Sequence, residues 1–244
     1  MAGFNLIRIN KYLSLCGVTS RRGAESIIAQ RRVTVNDVTV EKLGVIIDEK
    51  KDVVKVDGVV VSPVEHKVYV VLNKPPMVMT TLHDPFRRKT ILNYLKDLPV
   101  RVYPIGRLDY DTEGVLLLTN DGDLAYRLAH PKYQVKKIYE AKVMGHFTKE
   151  DGLKIEKGIK LSDGAIGKGK VDILGYGRVV TRILITLTEG RKREIKQLCK
   201  SVGHQVKHLR RVEFAGIDTR GLKIGKWRYL NSYELEELRA LVGL

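Results

Sequence analysis

Three carboxylates alternate along one short segment near the middle of the chain. They are Asp109, Asp111 and Glu113, within the sequence GRLDYDTEG at residues 106–114. A single ionised carboxylate can act as a nucleophile or as a general base. Three together could instead hold a divalent metal ion or form an acidic turn. The spacing alone leaves all of these interpretations open.

Other residues that could take part in a reaction or bind a metal also have ordinary structural explanations. Tyr139 alternates with Ala141 and Val143 on one face of a predicted strand, where a core tyrosine would also pack. His204 and His208 are four residues apart, but no Glu adjoins His204 and no third ligand has suitable spacing. We therefore predict no metal site and assign both histidines to the structure or to weak RNA contacts.

The charge of the chain points to its partner. The formal net charge is +16 and the sequence pI is about 9.8, which predicts a polyanion, with nucleic acid favoured over an acidic membrane. The positive charge concentrates in two segments. Residues 1–35 contain six Lys or Arg against one acid, and residues 190–230 contain twelve against three.

Composition excludes several classes of protein. Hydrophobic residues make up 43% and charged residues 30% of the chain, a balance that indicates a globular protein with a proper core. No apolar run approaches the roughly 20 residues that span a bilayer, and no signal peptide is evident, so we expect a cytoplasmic protein. Cys16 and Cys199 lie far apart at apolar helical positions, which predicts buried thiols rather than a disulfide framework.

The elements of the first 61 residues are predicted from two periodicities. Ile9, Tyr12, Leu13 and Cys16 form one helical stripe that Gly17 ends, and a second helix follows with Thr19 or Ser20 as its cap. The period then changes to two, with hairpin turns at Asn36-Asp37 and Asp57-Gly58. We predict a small α/β module at 1–61 and a short linker at 62–67.

Residues 68–244 mix strand and helix patterns and predict an α+β domain with a mixed, largely antiparallel sheet. The predicted strands are 68–72, 115–118, 136–143, 170–174 and 179–187. The predicted helices are one capped by Asp121 or Asp123 and running to residue 130, one after Gly190 that Gly203 ends, and one opened by Asn231 or Ser232.

Four ordered blocks of sequence resemble the motifs of the RsuA/RluB/RluE/RluF family of ribosomal RNA pseudouridine synthases. They are LNKPP at 72–76 followed by Thr80, Asp84, Pro85 and Thr90; GRLDYDTEG at 106–114; HP at 130–131 followed by KIY at 137–139; and EGRKREIK at 189–196. The first 61 residues resemble an S4 RNA-binding domain. The matches cover essentially the whole chain in the right order, so the resemblance is specific.

The resemblance implies a role for each catalytic candidate. Asp109 would attack the uridine, Tyr139 would pack on the target base and shuttle a proton, and Lys196 would pair with Asp109. A cation beside a carboxylate in a dry pocket favours the ionised form. The reaction breaks the bond between N1 and the ribose and joins C5 to C1′, so nothing is oxidised and no cofactor or metal is implied.

The remaining site predictions concern the pocket and the RNA. By resemblance, Arg107 would fill the space that the extruded base leaves, and Ile195 would wall the pocket, where we also place Leu108. The basic residues predicted to bind RNA are Arg21, Arg22, Arg31, Arg32, Lys74, Arg191 and Arg193.

Two positions depart from the family pattern. Met77 stands where the family usually has Gly, which puts the local turn in doubt. Glu194 replaces the usual Gln, so a carboxylate would have to make the hydrogen bond of an amide.

The predicted partner is ribosomal RNA, with 23S favoured over 16S because HP at 130–131 ahead of Lys137 and Tyr139 is closer to the RluB branch. A ribosome assembly intermediate is an alternative substrate, and we expect a monomer. Two rival functions are a catalytically silent RNA-binding protein and a magnesium-dependent phosphodiesterase that uses Asp109, Asp111 and Glu113.

Overall fold

The computed structural model describes residues 5–244, and the chain divides between Lys67 and Val68 into two units. The segment 62–67, predicted as a linker, clusters with the first unit, in which Val64 N donates to Leu15 O at 3.0 Å. Each unit has its own buried apolar cluster. Among the described residues, no helix is long and apolar enough to cross a bilayer.

The first unit packs two helices against short strands. Its elements are β1 (Leu6–Arg8), α1 (Ile9–Leu15), α2 (Arg21–Ala29), β2 (Val33–Val35), β3 (Val38–Thr39), β4 (Ile46–Asp48), β5 (Val54–Val56) and β6 (Val59–Val60). The predicted helical stripe is confirmed, because Ile9, Tyr12 and Leu13 are buried. Ser20 caps α2 by accepting a hydrogen bond from Gly23 N at 2.9 Å. Cys16, predicted as a buried thiol, is half-buried.

Both predicted hairpins are present in an antiparallel sheet of order β3-β2-β5-β6. Asn36 and Asp37 have φ of 50° and 66°, and Asp57 and Gly58 have φ of 51° and 81°. Positive φ at both central residues is the requirement of the two-residue turn whose twist matches that of paired strands. The residue types at these turns therefore account for the register.

The second unit contains eleven strands and four α-helices among its described residues. The strands are β7 (Tyr69–Lys74), β8 (Tyr103–Pro104), β9 (Glu113–Thr119), β10 (Lys137–Met144), β11 (Ile159–Lys160), β12 (Ile166–Gly167), β13 (Lys170–Tyr176), β14 (Val180–Leu187), β15 (Val206–Phe214), β16 (Ile217–Asp218) and β17 (Trp227–Tyr229). The helices are α3 (Gly122–Ala129), α4 (Lys149–Lys157), α5 (Glu194–Ser201) and α6 (Ser232–Leu241), and two 3₁₀ turns cover Ile91–Tyr94 and Pro131–Tyr133.

A nine-stranded sheet is the centre of this unit. Its main order is β13-β14-β10-β15-β9-β7-β17, with β8 paired to β9 and β16 paired to β15. The β15–β9 pair is parallel, and the other ladders of this sheet are antiparallel. This confirms the predicted α+β class with a mixed, largely antiparallel sheet.

Both faces of the central strands are covered, which explains why every residue of β9 is buried. Leu116 and Leu118 pack in one apolar cluster, whereas Val115 and Leu117 pack in a second cluster on the opposite face. Successive side chains of a strand point to opposite faces, so an uninterrupted apolar run predicts this double burial. The strand that results begins at Glu113, the third of the alternating acids.

Candidate active site

The loop that carries Asp109 connects β8 to β9, and Lys74 holds it through hydrogen bonds to backbone carbonyls. The side chain of Lys74 is fully buried, and its Nζ donates to the carbonyls of Pro75 at 3.0 Å, Asp109 at 3.3 Å, Tyr110 at 3.5 Å and Thr112 at 2.8 Å. The prediction that Lys74 binds RNA is therefore wrong, because its ammonium faces backbone carbonyls in the interior.

A second set of hydrogen bonds fixes the loop on either side of Asp109. Thr80 Oγ1 donates to Leu108 O at 2.7 Å and lies 3.3 Å from Leu108 N. Val78 N donates to Tyr110 O at 3.2 Å. Since the backbone is held at residues 108 and 110, the direction in which the Asp109 side chain leaves the backbone is set before any ligand arrives.

Glycine is required where β9 meets β15. Gly114 pairs with Arg211 in the parallel ladder and has φ of 104°. A Cβ atom at Gly114 would lie 2.1 Å from the carbonyl oxygen of Arg211. A larger residue would therefore separate the strand that follows Asp109 from the strand that carries Arg211.

The buried side chains of Tyr139 and Arg211 lie next to each other. Arg211 is 2% exposed, and its Nε donates to Val115 O at 2.7 Å. Arg211 Nη1 lies 3.5 Å from the hydroxyl oxygen of Tyr139, whereas Nη2 has no protein partner. A buried guanidinium beside the phenol places a positive charge next to a group that could exchange a proton. The sequence interpretation missed Arg211, because a lone Arg in a basic segment is indistinguishable from a surface residue.

A small pocket of about 70 Å³ opens beside the Asp109 carboxylate. The structure brings Asp109, Tyr139, Leu108, Ile195 and Arg107 together around it. Leu108, Tyr139 and Ile195 are buried, whereas Arg107 is exposed and Asp109 is partly exposed. All five residues were singled out from the sequence, and they form one lining that combines an acid, a phenol and apolar walls.

A larger groove of about 1060 Å³ lies over this pocket and shares Arg107, Leu108 and Asp109 with it. Its lining is rich in cations: Arg88, Arg107, Arg191, Lys192, Arg193 and Lys196. Arg191 is partly neutralised by Glu189 at 3.1 Å and Asp163 at 3.5 Å. The combination of a basic groove and an acid at its floor suits a polyanion that delivers one group into the pocket.

Lys196 contacts two carboxylates. Its Nζ lies 2.6 Å and 2.7 Å from the oxygens of Asp111 and 3.7 Å from Asp109 Oδ2. Burial would raise the pKa of Asp111, but the hydrogen bonds and charge of Lys196, together with the charge of Arg193, outweigh it and lower that pKa. The predicted pairing with Asp109 is present at the longer distance, and Asp111 is the closer partner.

The remaining acid of the segment also faces basic side chains. Glu113 Oε1 lies 3.3 Å from His208 Nε2 and 4.0 Å from Arg210 Nη1. His204 has other partners, Met144 O at 2.7 Å and Asp151 Oδ2 at 3.2 Å. Among residues 5–244, no three His, Cys, Asp or Glu side chains lie together as metal ligands. The alternating acids are thus shared between basic side chains.

Glu194 is buried under the groove at the start of α5. It is 3% exposed, and its Oε2 accepts a hydrogen bond from Arg191 N at 2.8 Å, whereas Oε1 has no partner. Burial raises the pKa of this carboxyl group, partly offset by the hydrogen bond from Arg191. The acid therefore makes one of the hydrogen bonds that an amide would make and leaves the second oxygen buried and unsatisfied.

The backbone at Met77 explains why the family pattern has glycine there. Met77 has φ of 58° and an exposed side chain at the rim of the groove. This left-handed conformation is open to glycine and costs a residue with a Cβ atom roughly 1 kcal/mol. The turn at residue 77 forms although Met stands in place of the expected Gly.

The four arginines predicted in the first unit are all exposed. Arg31 and Arg32 follow α2 rather than lying in it. Arg31 Nη2 lies 3.1 Å from Glu41 Oε1, and Arg32 binds both oxygens of Asp57 at 2.8 Å and 2.6 Å. Arg21 and Arg22 open the helix, and within residues 5–244 neither has an ion-pair partner. The charges of Arg21 and Arg22 are therefore more available to a phosphate than those of Arg31 and Arg32.

Comparison with known proteins agrees with this geometry. Residues 68–201 match the family model described as RNA pseudouridylate synthase. An RNA pseudouridine synthase of Aquifex aeolicus (strain VF5) is 45% identical over 98% of this chain and 96% of its own length. The ribosomal large subunit pseudouridine synthase B of Bacillus subtilis (strain 168) is 42% identical over 96% of both chains.

A solved structure supports the same assignment. The crystal structure of a pseudouridylate synthase superimposes with a TM-score of 0.69 and 26% sequence identity, and the match covers 95% of this chain and 99% of that one. The family model spans the loop of Asp109, the strand of Tyr139 and the helix of Lys196. The chain therefore belongs to the RNA pseudouridine synthase family and is an enzyme of that class.

Proposed function

We propose that this enzyme converts one specific uridine of ribosomal RNA, with 23S RNA as the substrate, to pseudouridine. Relatives named for the large ribosomal subunit support this choice, since they match nearly the whole chain. The observation that carries the proposal is the position of Asp109, whose carboxylate lies at once in the small pocket with Tyr139 and on the floor of the basic groove.

The residues around the pocket account for the chemistry. The ionised carboxylate of Asp109 attacks the ribose at C1′ or removes a proton at C2′, and either route breaks the bond to N1. The released uracil keeps the electron pair of that bond on N1 and turns within the pocket. C5 then bonds to C1′ as the bond from C1′ to Asp109 breaks or, on the second route, as Asp109 returns the proton to C2′. The proton on C5 finally leaves and N1 gains one, and the hydroxyl of Tyr139 relays this transfer by accepting one proton as it donates its own. Leu108 and Ile195 provide apolar walls that keep the free base from water.

The groove accounts for RNA binding. A uridine stacked in a helix cannot reach Asp109, so it must be extruded at a cost of about a few kcal/mol. Phosphate contacts from Arg191 and Arg193 offset this cost, and Arg107 takes the space of the extruded base. The first unit, which resembles an S4 domain, adds contacts to structured RNA through Arg21 and Arg22. We place the enzyme in the cytoplasm, acting as a monomer.

The test is pseudouridine formation in large-subunit ribosomal RNA by the purified protein in the presence of EDTA. Asp109→Asn should lower the single-turnover rate by about 10³-fold or more while RNA affinity stays within a few-fold. Asp172→Asn is a matched control, because Asp172 is an exposed carboxylate of β13 that pairs with Lys170. Full activity of a folded Asp109→Asn variant would exclude Asp109 as the reactive group.

The same experiment separates the rival functions. A silent RNA-binding protein would bind the RNA and form no pseudouridine in either variant. A magnesium-dependent phosphodiesterase would cleave the RNA, and EDTA would stop it. Mapping the modified position in RNA from cells with and without the protein then identifies the uridine.

A further inference from the structure

An uncovered aromatic ring stands beside the basic groove. Phe86 is 76% exposed, the highest value among the large hydrophobic side chains of residues 5–244. Leaving so large an apolar side chain in water forgoes roughly 2 kcal/mol of burial. No neighbouring apolar patch in the segment 84–89 explains it as part of a larger hydrophobic surface, because the residues that follow Phe86 are Arg87, Arg88 and Lys89.

The loop that presents Phe86 is built around one buried carboxylate. The side chain of Asp84 is 4% exposed. It accepts hydrogen bonds from the backbone N–H groups of Phe86 at 3.1 Å and Arg88 at 3.0 Å. It also binds Arg88 Nη2 at 2.6 Å and Nε at 3.2 Å. Four hydrogen bonds to one side chain hold the loop in a single shape, so the position of Phe86 is set in advance.

Arg88 links the ring to the groove. Its guanidinium carbon lies 5.0 Å from the centroid of the Phe86 ring, and Arg88 also lines the groove whose floor holds Asp109. One side of the ring is therefore backed by a cation that Asp84 fixes in place, while most of the ring surface faces solvent. An exposed ring backed by a cation is suited to stacking against a flat π-system.

We propose that Phe86 is a stacking platform for an unpaired RNA base that flanks the target uridine. This inference rests on the proposed function, since the groove must first hold RNA. Arg107 takes the space that the extruded uridine leaves, whereas the Phe86 ring stacks on a flanking base that is itself unpaired. Stacking on an aromatic side chain does not depend on base identity, because every base has a π-face. Arg87 and Lys89, which are exposed and pair with no carboxylate among residues 5–244, supply charge for the phosphates on either side.

A protein partner fits this surface less well. Protein interfaces have a contiguous apolar core from which charged residues are depleted, whereas Phe86 is followed by three cations. The same composition is typical of surfaces that bind single-stranded nucleic acid, where aromatic rings alternate with basic side chains.

The test compares Phe86→Ala with Phe86→Trp in binding to a large-subunit ribosomal RNA fragment that contains the mapped uridine. Phe86→Ala should raise the Kd by about 5- to 100-fold, and Phe86→Trp should keep it near the wild-type value. The dependence of Kd on salt should be unchanged in both, because no cation is removed. Tyr233→Ala is the matched control, since Tyr233 is another highly exposed aromatic side chain, 70% exposed on α6, and it should bind as wild type does.

A local probe identifies the contact. With 2-aminopurine at the nucleotides on either side of the uridine, wild type and Phe86→Trp should quench its fluorescence at one position, and Phe86→Ala should not. Wild-type affinity and quenching in a folded Phe86→Ala variant would overturn the inference. Binding and quenching require no turnover, so this failure is distinct from that of the proposed function, in which wild type binds RNA and forms no pseudouridine.

Discussion

The ammonium of Lys196 binds both carboxylate oxygens of Asp111, at 2.6 Å and 2.7 Å. The same nitrogen lies 3.7 Å from Asp109 Oδ2. Lys196 is therefore shared between the acid proposed to react and a neighbour two residues later in the chain. Asp111 is the more exposed of the two side chains, at 58% against 32%, so Lys196 holds it in the groove where water competes with the ion pair.

We expect Lys196 and its closer partner Asp111 to differ sharply in their effect on catalysis. Lys196→Met should slow single-turnover pseudouridine formation by about 100-fold, because it removes the cation that stabilises the negative charge of Asp109. Lys196→Arg should keep part of the activity, since its charge survives with a different geometry. Asp111→Asn should change the rate by about threefold or less, because Lys196 then remains free to approach Asp109.

The measurement is the single-turnover rate of all three variants at saturating enzyme, with RNA affinity measured separately. Equal losses in Asp111→Asn and Lys196→Met would contradict this division and would place Asp111 in the reaction itself. Unequal RNA affinities with equal rates would instead make Lys196 a phosphate contact.

Lys74 should be needed for stability and for the shape of the Asp109 loop. Lys74→Met leaves the carbonyls of Asp109 and Thr112 without their buried donor, which should lower the free energy of unfolding by about 1–3 kcal/mol. Lys89→Met is the matched control, because Lys89 is exposed. Denaturant unfolding of both variants checks this. A Lys74→Met protein as stable as wild type would mean that the carbonyls find other partners.

The effect of Lys74 should depend on pH in a defined direction. Burial lowers the pKa of Lys74 to about 8, from 10.5 in a model compound. Between these values the unfolded chain binds more protons than the folded one, so this group makes wild type more stable as pH rises from about 8 to 10.5. The stability difference between wild type and Lys74→Met should therefore widen across that range. A constant difference would show that Lys74 keeps its proton.

The sequence accounts for much of the fold because its local signals agree with the tertiary structure. The hairpin turns at 36–37 and 57–58 carry residues that tolerate positive φ, and both form. β15 was missed for a physical reason: Arg211 points inward and interrupts the alternation of apolar residues that marks a strand. α4 was missed because Leu153 is exposed and Ile155 is its one large buried apolar side chain. Its available signal was the capping box of Thr148 and Asp151.

The sequence also predicted some features of the site and missed others. The resemblance identified the residues that line the pocket, because they lie in sequence blocks of fixed spacing. The assignment of Lys74 to the basic residues that bind RNA was wrong, since a lysine next to Pro75 gives no sign that the backbone of the 109–112 loop will close over it. The sharing of Lys196 depends on a distance between a loop and a helix 85 residues apart, which no local pattern encodes.

Glu194 should make the protein less stable at neutral pH than its amide counterpart. Burial raises the pKa of Glu194 above its ordinary 4.5, so the folded state binds the proton more tightly than the unfolded state. The contribution of this group to stability is therefore present at low pH and is lost as pH rises through the folded pKa. In Glu194→Gln the amide oxygen still accepts the hydrogen bond from Arg191 N, and the loss of stability with rising pH is removed.

The check is the free energy of unfolding of wild type and Glu194→Gln at several pH values. Glu194→Gln should gain stability relative to wild type as pH rises from below 4.5 toward neutrality. Glu236→Gln is the matched control, because Glu236 is an exposed residue of α6. A stability difference that does not change with pH would mean that the Glu194 carboxyl group is ionised equally in both states.

The last prediction concerns the arginines of the first unit, which differ in how much of their charge is committed within the protein. Arg32 binds Asp57 through two nitrogens and Arg31 lies near Glu41, whereas Arg21 and Arg22 have no ion-pair partner among residues 5–244. A cation already paired with a carboxylate must give up that contact before it neutralises a phosphate. We therefore expect Arg21 and Arg22 to supply most of the phosphate contacts of this unit.

The dependence of RNA affinity on salt tests this directly. Each lost phosphate contact should reduce the slope of log K against log salt by about 0.7–0.9, so Arg21→Gln with Arg22→Gln should reduce it by about twice that amount. Arg31→Gln with Arg32→Gln removes the same formal charge and serves as the matched pair, with a smaller expected change. An equal reduction in both double variants would show that RNA displaces Asp57 and Glu41 from their arginines. An unchanged slope in the first pair would show that the start of α2 does not touch phosphate.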